Sequence, residues 1–182
     1  MKKTELTIKV FGSPLLRRKA RSVQKVTQEH REMLSSMARL MYEASGIGLA
    51  AAQVGCDEAM IVVDIGTGLY KLINPVVTHK EGTQVFEEGC LSVPGVCIKV
   101  KRAKKAVIRA LDENAKPVSI EAEGLLACVF QHEIDHLKGK LIVDYASFLD
   151  KLKMSEKLKG LKKRSKDEEL PQPETKSCQL QL

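Results

Sequence analysis

The chain has 182 residues, 43 % of them apolar, with 4 % aromatics and no Trp, which fits one folded domain with an aliphatic core. No apolar run approaches the roughly 18 residues of a membrane span, and no apolar leader segment follows the charged start Met1-Lys2-Lys3. The net charge is +7, but residues 151–182 hold nine Lys/Arg against five Asp/Glu, so the body is close to balanced and nucleic-acid binding by the domain itself is not indicated. Five irregularly spaced Cys residues in a chain of this size point to a reducing, cytoplasmic setting rather than to a disulfide framework.

Thr27–Ala44 reads as an amphipathic helix, with Met33, Leu34, Met37, Leu40 and Met41 at helical spacing, Thr27 as N-cap and Gly46 as the stop. Strands are predicted at Ala59–Ile65 and at Tyr70–Ile73, the second ended by Asn74-Pro75. Thr83–Glu87, Val96–Val100, Ala106–Leu111 and Val118–Ala122 are further strands, the last two joined by an Asp112-Glu113-Asn114 turn. Gly124–Lys138 is apolar on nearly every side at its start, as a buried helix is, with Gly139 as its C-terminal cap. Ser147–Leu161 sets Leu149, Leu152, Leu158 and Leu161 on a lysine-rich background, an amphipathic helix able to dock on the body. The fold class expected is α+β: mixed or antiparallel strands around a central helix, flanked by an N-terminal and a C-terminal helix. Residues 1–147 would form the catalytic unit, 148–161 the C-terminal helix and 162–182 a disordered tail.

The central helix carries His132-Glu133-Ile134-Asp135-His136. Residues four apart share a helical face, so both imidazoles can reach one metal ion, and Glu133 beside it can handle the protons of a water. This HExxH pattern is a metal-hydrolase signature that leaves the third ligand open. Cys128 lies on the same stripe, but at 1.5 Å per residue it is about 9 Å along the axis from an ion between the two rings, too far for a cysteine to bridge. Cys128 therefore reads as a core residue. Glu156 lies downstream, as in some metallopeptidases, yet sits in the basic face Lys153-Met154-Ser155-Glu156-Lys157 and reads as a surface ion-pair partner. His79 reads as a turn residue, and His30 lies on the polar side of the first helix. Cys90, within Glu87-Glu88-Gly89-Cys90-Leu91-Ser92-Val93-Pro94-Gly95, serves equally as a buried turn cysteine or as a ligand. Gly46-Ile47-Gly48-Leu49-Ala50-Ala51-Ala52-Gln53 lacks the Lys-Ser/Thr of a phosphate loop and reads as backbone facing a ligand, or as plain loop packing.

Taken together, Gly46–Gln53 (GxGLAAxQ), Glu88–Ser92 (EGCLS) and Gln131–His136 (QHExDH) resemble the three motifs of bacterial-type peptide deformylases, in the family's order and without a mismatch. The resemblance covers about residues 5–150; the Arg that many bacterial members carry after EGCLS is absent from Val96-Cys97-Ile98-Lys99. It implies hydrolysis of the formyl group of N-terminal formyl-methionine on nascent polypeptides. It implies Cys90, His132 and His136 as ligands of one divalent metal, Fe²⁺ by family habit, with Zn²⁺ or Ni²⁺ also compatible. Glu133 would then be the general acid–base, with Gln53 and the Leu91 backbone N–H as oxyanion donors. Ile47, Phe86, Leu125 and Val129 would line a methionine pocket, and backbone at Ile47, Gly48 and Gly89 would pair with the peptide. Glu88 is expected to pair with Arg102, either as support for the site or as a plain surface ion pair. The basic C-terminal helix would contact the ribosome. The competing readings are a small metallopeptidase using Glu156 and a structural-metal module, which lacks a fourth ligand.

Overall fold

The computed structural model describes residues 6–167; Met1–Glu5 and 168–182, most of the expected disordered tail, lie outside the described residues. The elements are α1 (Gln28–Glu43), β1 (Gly48–Ala50), β2 (Met60–Val63), β3 (Tyr70–Glu81), β4 (Gln84–Glu88), β5 (Ile98–Arg102), β6 (Lys105–Leu111), β7 (Pro117–Glu123), α2 (Gly124–His136) and α3 (Phe148–Asp167). Short 3-10 turns intervene at Pro14–Arg17, Ala51–Val54 and Ile142–Tyr145. Five strands form an antiparallel sheet in the order β1-β2-β3-β6-β7, and β4 and β5 form a separate antiparallel ribbon. This is the α+β architecture expected, with α2 at its centre.

The Met60-Ile61-Val62-Val63 run is buried at every position because both faces of the sheet are covered there. Ile61 and Val63 face the cluster that holds Cys128, Val129, Phe130 and Ile134 of α2. Met60 and Val62 face the opposite cluster, with Leu34, Met37 and Met41 of α1. The Met-rich stripe of α1 is thus core. A third cluster joins the β5 residues Ile98 and Val100 to Ile142, Val143 and Leu161.

Local signals explain the boundaries. At the end of α1, Ser45 takes the left-handed conformation (φ 55°), Ser45 N–H donates to Tyr42 O (2.9 Å) and Gly46 N–H to Met41 O (2.9 Å), a Schellman stop. Gly46 lets Leu91 pack closely, since a Cβ there would stand 2.8 Å from Leu91 Cδ1 and push that methyl aside. At the start, Thr27 N–H donates to His30 Nδ1 (3.0 Å), and His30 Nε2 meets Glu58 (3.2 Å). The turn after β6 closes as expected, with Asp112 Oδ1 accepting from Asn114 and Lys116 N–H, both at 2.8 Å.

Several expectations need correction, among them β5, which spans Ile98–Arg102 and not Val96–Val100. β3 does not end at Asn74-Pro75: a register shift between Ile73 and Val76 carries the strand past the proline. Asn74 sits at φ 53°, and its amide both accepts from Val23 N–H and donates to Val23 O at 2.8 Å, clamping the segment before α1. In consequence His79 lies in β3, paired with Val107, and not in a turn. α2 ends at His136, two residues before the expected Lys138, because Lys138 and Lys140 N–H both turn back to Asp135 O. α3 runs to Asp167, beyond the expected Leu161, and its apolar docking residues are Met154, Leu158 and Leu161, joined by Lys157 Nζ donating to Gly95 O (2.6 Å). Leu149 and Leu152 are exposed, because at 100° per residue Leu149 falls roughly opposite Leu158.

Gly139 has φ 71°, and a Cβ there would lie 2.5 Å from Arg17 O, so both conformation and space require glycine. Gly139→Ala is expected to destabilise the fold by about 1–3 kcal/mol, read as a lower urea midpoint. An unchanged midpoint would show that the α2 exit relaxes freely.

Candidate metal centre

His132 and His136 project from the same face of α2, with their Nε2 atoms 3.2 Å apart. Cys90 follows β4 directly, in a turn closed by Val93 N–H donating to Cys90 O (2.9 Å), and its Sγ lies 3.4 Å from His136 Nε2. All three donor atoms lie within 4.8 Å of one another, and all three residues are buried. Cys128 is not part of the cluster. Glu156 is on α3, exposed and paired with Lys159 at 2.7 Å, which removes the downstream-glutamate reading.

The donor set fits a metal ion. Tetrahedral bonds of about 2.0–2.1 Å to nitrogen and about 2.3 Å to sulfur place N and N about 3.3 Å apart and S and N about 3.6 Å apart. The observed 3.2 and 3.4 Å are close to both. His132 Nδ1 lies 2.9 Å from Glu88 Oε2 and carries the proton toward it, so the His132 Nε2 lone pair faces the cluster. Burial holds both imidazoles below their usual pKa, His136 strongly, so both are the neutral ligands a metal requires. Burial, then the Glu133 charge, raises the Cys90 thiol pKa; a cation between the donors reverses that balance and favours thiolate.

Glu133 is fully buried beside the cluster, and neither of its carboxylate oxygens has a hydrogen-bond partner among the described residues. Burial drives its pKa well above the carboxylate range. Its place depends on Gly48 in β1, where any side chain would occupy the position of Glu133 Oε1. Gln53 is fully buried as well. Its Oε1 accepts from Ala50 N–H (2.8 Å), which fixes the amide so that Nε2 donates to Ser92 Oγ (3.1 Å) and approaches Cys90 Sγ (3.7 Å). Leu91 packs beneath Gly46, next to Cys90 in the chain. Gly89 is buried between β4 and Cys90. Ile47, Phe86 and Leu125 are half-buried around the buried Val129 in one apolar cluster. The structure brings Cys90, His132 and His136 together with Glu133 and Gln53 beside them, and gathers Ile47, Phe86, Leu125 and Val129 in one apolar cluster.

Of what surrounds the cluster, sequence reasoning offered the Glu88–Arg102 pair, as site support or as a surface ion pair, and missed the rest. The Glu88–Arg102 pair is interior: Glu88 is fully buried, held by Arg102 Nε and, at 2.8 Å, by Arg102 Nη2. Burial pushes the Glu88 pKa up, but the His132 and Arg102 hydrogen bonds together outweigh it and hold the group down at about 2. Cys128, read as plain core, donates its thiol to Glu88 Oε1 (3.1 Å). Its position one turn before His132 was the available signal. Arg102 Nη1 and Tyr145 Oη both donate to Asp135 Oδ2, at 2.9 and 2.6 Å.

A buried Cys-His-His cluster on an HExxH helix, with an unpartnered glutamate beside it, defines a metal-dependent hydrolase centre. Residues 5–152 match the family model of polypeptide deformylase. The chain is 49 % identical to a peptide deformylase of Halothermothrix orenii over 76 % of this chain and 92 % of that protein. It is similar to the peptide deformylase structures from Legionella pneumophila (38 % identity, TM-score 0.82, covering 91 % and 99 % of the two chains) and Thermus thermophilus (35 %, 0.83, covering 87 % and 98 %). The chain belongs to the peptide deformylase family.

Glu88→Gln is expected to weaken metal binding by about 10- to 100-fold in chelator competition, because His132 loses its carboxylate partner. Stability should fall by about 3–5 kcal/mol, because Arg102 is left with half of its buried counter-charge. Wild-type metal retention in this variant would remove Glu88 from the support of His132.

Proposed function

We propose that Glu133, Gln53 and the Leu91 backbone carry the chemistry at a centre whose metal is held by Cys90, His132 and His136. As a peptide deformylase, this enzyme removes the formyl group from the N-terminal formyl-methionine of newly made polypeptides. The observation that carries the residue assignment is the Glu133 carboxylate, buried and unpartnered beside the cluster. A divalent ion there would supply Lewis-acid polarisation and lower the pKa of water. We take it to be Fe²⁺, with Zn²⁺ and Ni²⁺ also matching the donors.

Glu133 takes a proton from the attacking water and returns it to the amine nitrogen as the formyl C–N bond breaks. Gln53 Nε2 and the Leu91 N–H donate to the formyl oxygen as negative charge gathers on it, a role worth about 3–4 kcal/mol per donor. The methionine side chain enters between Ile47, Phe86, Leu125 and Val129, whose shared apolar cluster supports the pocket. β1 is an edge strand of its sheet, and this supports strand addition by the peptide along Ile47, Gly48 and Gly89. Ile47 O already accepts from Asp64 N–H (2.9 Å), so Ile47 would meet the peptide through its N–H.

We assign catalysis to residues 1–147 of a cytoplasmic enzyme. Among the described residues no helix is long and apolar enough to cross a membrane. The lysines of α3 support contact with ribosomal RNA near the emerging nascent chain.

Anaerobically prepared protein is expected to hydrolyse formyl-Met-Ala-Ser, with one metal per chain by elemental analysis. Glu133→Gln should retain the metal and lose at least about 100-fold in turnover; substantial remaining activity would remove Glu133 from proton transfer. The combined variant Lys153→Glu, Lys159→Glu, Lys163→Glu should lose co-sedimentation with ribosomes at unchanged tripeptide hydrolysis. Undiminished co-sedimentation would refute the α3 contact.

A further inference from the structure

Asp135 is a motif residue to which the reaction assigns no task, and Tyr145 lies outside every motif. Yet both belong to an unbroken line of contacts that runs from the surface to the metal ligands. Tyr145 Oη donates to Asp135 Oδ2 (2.6 Å), which also accepts from Arg102 Nη1 (2.9 Å). Arg102 Nε and Nη2 then grip Glu88, and Glu88 Oε2 meets His132 Nδ1 at 2.9 Å. Exposure falls along the line, from 40 % at Tyr145 to 16 % for the Asp135 side chain, 4 % for that of Arg102 and 0 % at Glu88. The Tyr145 ring also lies against the guanidinium, 5.3 Å from Cζ to the ring centroid.

We infer that Asp135 and Tyr145 are positioning residues for the metal ligand His132, acting through Arg102 and Glu88. This inference rests on Cys90, His132 and His136 being the metal ligands. A guanidinium is a rigid planar fork, so fixing its outer nitrogen and one face fixes the direction of its inner edge. The inner edge is the bidentate grip on Glu88. The Glu88 carboxylate has about four lone-pair sites, and Arg102 twice, Cys128 and His132 fill them. With no site spare, a tilt of Arg102 must be answered by a tilt of Glu88 and then of the His132 ring. Asp135 holds the outer nitrogen, and Tyr145 holds Asp135 while shielding the guanidinium face from water.

The test uses full-length protein loaded with Co²⁺, whose release to a chelator is followed by loss of its visible bands. Tyr145→Phe removes one hydroxyl at a partly exposed site and is expected to release Co²⁺ about 10-fold faster than wild type, with shifted d–d bands. Asp135→Asn is expected to accelerate release by about 10- to 100-fold. Tyr42→Phe removes a matched bond elsewhere, Tyr42 Oη to Asp64 Oδ2 at 2.7 Å, and should leave release and bands unchanged. Tyr145→Phe releasing Co²⁺ at the wild-type rate overturns the inference alone, as does equal acceleration in both tyrosine variants, which would mean general loosening. Wild-type protein that takes up no Co²⁺ overturns the ligand assignment, and this inference with it.

Discussion

Glu88 sits at the inner end of β4 with no solvent contact, and its negative charge has to be answered wholly within the protein. Arg102, on the paired strand β5, answers it from across the ribbon, and His132 answers it from α2. One carboxylate thus ties the small ribbon to the central helix and sets the tautomer of His132. An isolated buried ion of this kind costs several kcal/mol, so each partner constrains the others strongly. The ribbon can deliver Cys90 to the histidines only when this junction is made, because Cys90 stands two residues beyond Glu88.

The same economy of space governs the opposite wall. β1 and β2 are covered on both faces, by α1 on one and α2 on the other, and this fixes the distance between β1 and the helix. That distance leaves no room for a side chain at position 48, so Gly48 admits the Glu133 carboxylate. The Gly46–Gln53 segment is therefore a packing device as much as a backbone presented to ligand. Gly46 admits Leu91, Gly48 admits Glu133, and Gln53 braces Ser92 and Cys90. Each tie joins this segment to one of the other two motifs.

Most elements were legible because their signals are local. The α1 stripe, the β6–β7 turn and the central helix follow from periodicity and turn chemistry that need no tertiary partner. β3 was cut short at Asn74-Pro75 because a proline ordinarily ends a strand, and only the bulge and the Val23 clamp let the chain continue. Leu149 and Leu152 were assigned to the docking face of α3 on composition, while helical phase turns them to solvent. His132, His136 and Glu133 were legible because HExxH fixes two donors by helical spacing alone, while Cys90 stood out only through the resemblance of its motif. The ring around Glu88 was legible only in its Glu88–Arg102 pair. Cys128, Asp135 and Tyr145 are scattered in sequence, and each resembles an ordinary core or surface residue until the fold assembles them.

Burial and access conflict at such a centre, and the fold separates them in space. The ligands, Glu133 and Gln53 lie in the interior, where charges and dipoles are weakly screened and water competes least. Ile47, Phe86 and Leu125 stay half-buried at the edge of the same apolar cluster, and β1 keeps an unpaired sheet edge. The Glu88 network reaches solvent at Tyr145, three residues before α3 begins. The open β1 edge offers the peptide a strand to pair with, while the contacts that reach His132 through Arg102 and Glu88 start at Tyr145.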